Sequence, residues 1–510
     1  FSRLVELKTL NLDLHFNDGN KLKLVASDVN FENEGEFHRA ELAFTIESQE
    51  KTNYLIIEGR GDPTDLEAFD ATGYMKIKGL RLDDIVLESV KTILPTIYKP
   101  TALEQATADS EIWFDIHPGG ATDFHGGIIV GVQNPSDSIT SPTTQNIKAD
   151  ITAWYTPKVN WGFRMQQLSL SRDEDHTIPI NVQFSKYSDP QEKDFEIIVD
   201  TLQIDAALQI AGEFIIDDHW IPEFIQKLEL DGHLRNVHFG MGVNGYFGGA
   251  ELRDFDSLAY GVVPGVRDLD AVIKVIGGQA ALTLNDNNGA EIHFARVYDE
   301  PLDLHSLNGR LNFLVTSERD VMKINSDLID AKLDAGTVNA MFSLRTELPI
   351  SDGAPDMNIL IGGRKIDARF REKYFPKKIP SGLKNWLQKS IISAEVGELG
   401  LAFRRGPPKF TPIAGTNQLS FKVDNAVIDF HPEWDNARDL SGIAVLDDKY
   451  FLAEVDSGLL GAIDLVDGGI EFDRTQGVGS RIQVEVDLSS SISDAMQALS
   501  SSPLNKSMGS

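Results

Sequence analysis

Apolar and polar residues alternate with a period of two along most of this chain. Leu10, Leu12 and Leu14 are separated by Asn11 and Asp13, and Leu42, Phe44 and Ile46 by Ala43 and Thr45. Ile128, Val130 and Val132 follow the same rule, as do Ile180, Val182 and Phe184 around Asn181 and Gln183. The rhythm returns at Val338, Ala340, Phe342 and Leu344, at Ile366, Ala368 and Phe370, and at Ile482, Val484 and Val486. Successive side chains of a strand point to opposite faces, so each run predicts one apolar face and one polar face. No βαβ rhythm interrupts the runs, which predicts a mainly β chain of antiparallel sheet with a few short helices.

Gly-Gly pairs at 119–120, 126–127, 248–249, 277–278, 362–363 and 468–469 punctuate the runs. Asn17-Asp18-Gly19 and Asn287-Asn288-Gly289 read as hairpin tips. Residues 133–146, with Pro135 and Pro142, read as a long loop. Helical spacing occurs three times: at Val86, Val90 and Ile93; at Trp220, Phe224 and Leu228; and, most clearly, from Ser381 through Leu383, Trp386 and Leu387 to Ile391. Each reads as a helix packed on a sheet. The third, with Lys377, Lys378, Lys384 and Lys389 in or near it, also fits an amphipathic helix on a membrane surface. A short repeat built on a leucine appears at Arg267-Asp268-Leu269, Asp303-Leu304 and Arg438-Asp439-Leu440, which suggests a strand unit added repeatedly.

Composition narrows the chemistry. The 510 residues include no cysteine, which removes disulfides, thiolate metal sites and cysteine nucleophiles. A formal charge of −31 argues against nucleic acid as a partner. No run approaches 18 consecutive apolar residues, so no helical membrane span is predicted. The chain begins at Phe1 inside a patterned segment, which reads as an internal fragment of a longer protein. Gly240-Met241-Gly242-Val243-Asn244-Gly245 matches a dinucleotide fingerprint, but Tyr246-Phe247-Gly248-Gly249 follows where a helix should start, so these read as turn glycines. Ser381-Gly382-Leu383-Lys384 lacks the companion motifs of a serine acyl-enzyme. His117 and His125 near Asp115 and Asp123, or Asp429 with His431, are candidate metal ligands, with ordinary strand and turn histidines as the alternative. No assembled active site emerges, and neither an enzyme nor a cofactor is predicted.

The segment Tyr374-Phe375-Pro376-Lys377-Lys378-Ile379-Pro380, then Leu383 to Trp386-Leu387, Gly397-Glu398-Leu399 and Arg404-Arg405-Gly406-Pro407, resembles the YhdP family of AsmA-like proteins. Gly59-Arg60-Gly61-Asp62-Pro63, Asn244-Gly245 through Gly265-Val266, Phe430-His431-Pro432-Glu433-Trp434 and Ser502-Pro503-Leu504 resemble further family elements in the same order. The leucine repeat at Arg267-Asp268-Leu269 departs by lacking its usual glycine, having Asp270-Ala271 in its place. The residues that carry the family motif are Tyr374, Pro376, Pro380, Trp386, Leu387, Arg405, Gly406, His431 and Trp434.

The resemblance implies a bridge-like lipid carrier in the periplasm of a Gram-negative bacterium, its parent protein anchored in the inner membrane. Its partners would be phospholipid acyl chains and, through the missing termini, the inner and outer membranes, with envelope proteins as further partners. The implied fold is a long twisted antiparallel β-sheet curled into an open apolar groove, lined by the alternating residues named above. Alternation alone fits a closed sandwich equally well. At about 12 residues per strand and turn the chain would hold roughly 40 strands and extend about 190 Å. The expected organisation is a groove segment over 1–200, a short helical insertion over 201–235, strand repeats over 236–370, a helical element over 371–415, and strand repeats over 416–510 leading into a truncated helix. The alternative is an envelope assembly or scaffolding role through protein contacts; a metal-dependent hydrolase using His117 and His125 is a more distant one.

Overall fold

In the computed structural model the described residues are 3–15, 21–46, 51–65, 67–81, 106–133, 144–172, 175–176, 179–189, 193–204, 226–243, 245–316, 321–348, 355–378, 381–407, 415–473 and 481–503. They hold 28 strands, and every described pairing is antiparallel. The chain is thus mainly β, with few short helices, as the alternation predicts. Single strands run to 15 residues, as at Leu302–Thr316 and Ile391–Arg405, longer than the roughly 12 residues per strand and turn taken from the sequence. Two compact units divide the chain.

The first unit comprises Phe1–His219 and Leu234–Ala250. Its strands form an up-and-down meander. Leu4–His15, Lys21–Glu34, Phe37–Ile46, Asn53–Arg60 and Asp70–Arg81 each pair with the next. Thr107–Ile116, Thr122–Gln133, Thr144–Thr156 and Asn160–Arg172 continue the ladder to Ile180–Tyr187 and Phe195–Gln203. Apolar side chains cluster on one face, where Ala26, Val29, Phe44 and Ile46 are buried against Leu10, Leu24, Leu42 and Leu55. Glycine makes room for rings there: a Cβ on Gly73 would lie 2.1 Å from the Phe114 ring. The predicted tip at Asn17–Gly19 and most of the predicted 133–146 loop lie outside the described residues. So do the first predicted helix and Trp220–Ile225 of the second, of which Gln226–Leu228 are helical.

The second unit comprises Trp220–His233 and Glu251–Ser510. It is a meander from Gly265–Ile276 to Arg481–Ser489 in which two lanes are each split into two strands. Gln279–Asp286 and Ala290–His293 both pair with Gly265–Ile276 on one side and Leu302–Thr316 on the other. Val321–Ser326 and Ile329–Leu333 share the next lane in the same way. Asn287-Asn288-Gly289 is therefore a break inside one strand lane and not the tip of a hairpin. The cause is Asp286, which is fully buried. Its carboxylate accepts from the backbone N–H of Asn288 at 2.8 Å, of Gly289 at 3.1 Å and of Asp270 at 3.2 Å. The break thus satisfies its amides through a side chain where a ladder would have used carbonyls.

Three other expectations are corrected. Only the Gly-Gly pairs at 119–120 and 277–278 lie in turns; the other four sit inside strands. Gly126 shows why, since a Cβ there would lie 2.0 Å from the carbonyl oxygen of Glu111. Ile366, Ala368 and Phe370 do not share a strand. The strand ends at Asp367, whose carboxylate accepts from the Arg369 N–H at 2.9 Å and starts a 3-10 helix over Ala368–Tyr374. Phe370 lies on that helix, 38% exposed. The predicted helix at Ser381 is present as α1, Ser381–Ser390, but Ile391 already belongs to the following strand.

The short leucine repeat acquires a meaning. Asp268 and Asp439 both adopt the left-handed conformation, with φ of 55° and 49°. The register shifts beside Asp439, between Arg438 and Ser441. Aspartate tolerates this conformation better than most residues, and a bulge there re-aims the residues that follow. Leu269, next to Asp268, is 4% exposed.

Replacing Asp286 by Ala strands three backbone donors in a buried site, so the second unit should lose about 2–4 kcal/mol of stability. A urea titration of Asp286→Ala reads this as a lower midpoint, whereas Asn285→Ala, an exposed neighbour, should stay within about 0.5 kcal/mol of the parent.

Candidate functional site

Cross-strand register brings the alternating apolar residues into rows. In the first unit one row starts at Leu42 and passes through Leu55, Met75 and Ile112. It crosses Gly126 and continues through Ile151, Met165 and Val182 to Val199. The neighbouring row includes Ile57, Phe114, Phe124, Phe163 and Phe184. Rings interlock along it, with Phe163 and Phe184 centroids 5.6 Å apart and those of Phe114 and Phe124 6.0 Å apart. Neither row carries a charge.

The second unit repeats the arrangement. Ala340, Ile361, Leu401 and Leu419 stand in register, followed by Leu446, Phe451, Phe472 and Ile482. Beside them Val338 meets Gly363, then Leu399, Phe421, Ala444 and Ala453, and finally Ile470 and Val484.

The structure places the sequence candidates accordingly. Leu10 and Leu12 pair with Ala26 and Leu24, on the face that carries Phe44 and Ile46; the side chain of Leu14 lies outside the described residues. Ile128 and Val130 share the strand face of Phe124, the side chain of Val132 lies outside the described residues, and Ile180 lies on the strand of Val182 and Phe184. Phe342 and Leu344 alternate with Ser343 on the strand of Val338, and Val486 continues the face of Val484; the side chain of Ile482 lies outside the described residues. Ile366 reaches the apolar face through a bulge. Lys365 is left-handed, φ 53°, and turns the Ile366 side chain to within 3.2 Å of a Cβ built on Gly363. Phe370 is the candidate that leaves the set.

Burial separates an open face from a dry core. Every side chain of the Leu42–Val199 row is half-buried and none is fully buried. In a two-layer sandwich such central residues would be covered by the facing sheet. The opposite face of the same strands is more exposed, with Tyr54 at 47% and Trp113 at 44%. A single layer shields one face more than the other by curling toward it. The second unit opens further toward its last strand, where Val484 is 56% exposed. A hollow of about 640 Å3 also lies on the other face of this unit, between Met341, Leu360, Ala402 and Val445 with Gly362 and Gly400 as its floor. Alternation gave no sign of it, because glycine breaks the polar pattern there without restoring an apolar one.

The family-motif residues gather around α1. Tyr374 ends the 3-10 helix, and burial raises its hydroxyl pKa above the ordinary value. Pro376 is exposed and Pro380 lies outside the described residues. On α1, Leu387 is half-buried, but Trp386 is 47% exposed, so the predicted apolar helix face is not wholly packed on the sheet. Arg371, which sequence reasoning missed, fixes the helix. Its guanidinium donates to the carbonyls of Gln388 at 2.8 Å and Leu387 at 3.3 Å, at the C-terminal end of α1, and to Ala368 at 3.1 Å. Lys373 pairs with Asp303, and Lys377 donates to the Ala295 carbonyl at 2.9 Å. Burial lowers the Lys373 pKa, yet the Asp303 carboxylate outweighs it and the net shift is upward.

Arg405 is exposed, at the end of its strand. Gly406 allows close approach to Asp356, whose carboxylate oxygen would lie 2.2 Å from a Cβ. His431 and Trp434 form a turn, with the Trp434 N–H donating to the His431 carbonyl at 3.1 Å and the Trp434 ring 6.3 Å from Phe430.

The histidine pairs are not brought into a common metal site. His117 contacts Asp123 at 2.9 Å, while His125 stacks on Trp113 one strand away. Nδ1 of His431 accepts from the Glu433 N–H at 3.2 Å. Among the described residues no group of three or more His, Asp or Glu side chains is arranged to hold a metal. Nor is any helix long and apolar enough to cross a membrane.

No curated protein matches the chain significantly. A protein-family model described as "YhdP protein" matches residues 2–510.

Arg371→Ala should release α1 from the 3-10 helix. Charge-assisted hydrogen bonds of this kind contribute about 1.5–3 kcal/mol, so amide exchange over 381–390 should accelerate about tenfold or more. Exchange in the strand Gly336–Glu347 should not change, and hydrogen–deuterium exchange mass spectrometry reads both segments at once.

Proposed function

The chain belongs to the YhdP family of AsmA-like bacterial envelope proteins, and from that premise we propose that it conducts phospholipid along its apolar strand faces, in the periplasm, between the inner and outer membranes. The observation that carries this reading is the uncharged row repeated strand after strand, from Leu42 to Val199 and from Ala340 to Phe472, the first of them half-buried along its whole length. Acyl chains are the ligand whose chemistry matches such a surface: flexible, wholly apolar and without a fixed register.

The energetics support movement more than tight capture. Each methylene taken from water contributes about 0.8 kcal/mol, so a chain lying on the rows is held along its whole length. Neighbouring strands repeat the same surface about every 4.8 Å. A methylene leaving one row meets an equivalent row before it meets water, which keeps the barriers between positions shallow. Headgroups stay at the open side, where they keep their hydration. No catalytic residue is needed and none has a role here. The rows set a path and not a direction, so the driving force comes from the membranes or from envelope proteins at the ends.

Two measurements test the reading. Phospholipid should crosslink to a photoreactive residue placed at Phe342 or Val182 and not to one placed at Ser343 or Gln183, on the other face. Phe342→Asp combined with Val484→Asp should reduce lipid transfer at least about tenfold, because each carboxylate must be desolvated by a passing chain. Ser343→Asp, on the polar face, should leave transfer unchanged. A folded double variant that still transfers lipid at the parental rate would exclude these rows as the path.

A further inference from the structure

The polar face of the first unit holds an aromatic cluster that its apolar rows do not explain. Ile56, Tyr74, Trp113 and His125 stand in register on four consecutive strands. The Tyr74 and Trp113 rings lie 5.2 Å apart at 49°, and those of Trp113 and His125 lie 5.9 Å apart at 16°. Together with Glu58, Thr72 and Asp115 these side chains border a hollow of about 260 Å3. It remains open: Trp113 is 44% exposed, and a Cβ on nearby Gly127 would meet nothing within 4 Å.

The charges around the hollow are unevenly satisfied. Glu58 is paired with Arg39, and Lys76 in the next row with Glu111. Asp115 makes no hydrogen bond or ion pair among the described residues, and it stands directly opposite Asp123 in the ladder. Asp123 in turn takes His117 at 2.9 Å. Like charges directly opposite one another destabilise a strand pair, so a cation bound here would relieve a cost already present. Ring faces attract a cation as well. Arg39 and Lys76 each already hold a carboxylate, so neither is free to draw an anion into the hollow. A hard metal ion is a poor fit, because it needs several oxygen ligands and no group of three or more His, Asp or Glu side chains among the described residues is arranged to hold one.

We propose that the hollow formed by Tyr74, Trp113, His125 and Asp115 binds an organic ammonium ion, a primary or quaternary amine on a short aliphatic stem. Asp115 supplies the countercharge, the rings supply π faces to the N-methyl or N-methylene groups, and Thr72 and Glu58 border the stem. The site lies on the face opposite the Leu42–Val199 row, so it stands or falls independently of lipid conduction.

Choline, ethanolamine and 3,3-dimethylbutan-1-ol, the uncharged isostere of choline, are the probes, titrated against the full chain at low salt and followed by proton NMR. The expected result is a saturable upfield shift of the choline methyl protons from the aromatic ring currents, with ethanolamine also binding and the uncharged isostere at least about tenfold weaker. Asp115→Asn, which keeps the side chain's shape, and Trp113→Ala should each weaken choline binding about tenfold, while Met165→Leu on the other face should not change it. The absence of a saturable shift with both amines overturns the proposal. So does equal binding of the isostere, or an Asp115→Asn protein of unchanged circular dichroism that keeps parental affinity. Binding of glucose in place of the amines would identify a sugar platform and would overturn it too.

Discussion

A strand shows alternate residues to opposite faces, so a slip of one residue between two neighbours exchanges an apolar face for a polar one. Everything else in this chain depends on preventing that slip across many strands in succession. The Leu42–Val199 row shows the constraint being met over nine consecutive lanes, each ladder preserving the parity of the one before. Where a strand holds an extra residue, the surplus is absorbed by one residue in the left-handed region. Asp28, Gln167, Asn425 and Asp439 all have φ near 50° and all lie at or beside register shifts. Lys365 does the same work for Ile366, which without it would face the polar side. Bulges here act as corrections that keep a long pattern in phase.

Register of this kind leaves the sheet with an apolar face and, among the described residues, no second layer of the usual sort to cover it. Half-burial then sets the energetics. A core side chain gains about 1.5–3 kcal/mol from full burial, and the row residues obtain only part of that. The polar face offers little compensation, because exposed pairs such as Arg267 with Glu291 contribute about 0–1 kcal/mol. Stability rests instead on ladder hydrogen bonds and on local devices such as buried Asp286 and the interlocked rings of Phe114, Phe124, Phe163 and Phe184. The formal charge of −31 opposes edge-to-edge association of long exposed strands.

What could be read from the sequence follows the same division. Alternation has a local cause, so Leu42, Val182, Phe342 and Val484 were assignable to an apolar face from neighbours two residues away. Features that depend on distant partners were not. Phe370 is a different case, local but ambiguous: it continues the alternation, yet Asp367 caps a 3-10 helix there by accepting from the N–H two residues on. Asn287–Gly289 has the composition of a hairpin tip, and only the pairing of both flanking strands with the same neighbours reveals a break in one lane. Arg371 gave no signal because the carbonyls it holds lie 16 and 17 residues away. His125 was grouped with His117 by spacing, whereas register sets it against Trp113. The Arg-Asp-Leu repeat was visible as a pattern, but its meaning as a bulge needed backbone angles.

The two faces also differ in how they distribute their chemistry. On the polar face, position matters: Trp113 and Asp115 form a hollow only because each stands on a particular lane beside particular neighbours. On the apolar face no single side chain is indispensable, and Gly126 is the demonstration. It occupies a central position of the longest row and contributes no side chain, yet Ile112 on one side and Ile151 on the other carry the row across it. The glycine is required by the approach of the neighbouring backbone at Glu111, a constraint of the sheet and not of anything that lies on it. A surface that tolerates a missing side chain at its centre must work by area and continuity, which is how an acyl chain, lacking any polar group for orientation, would have to be held.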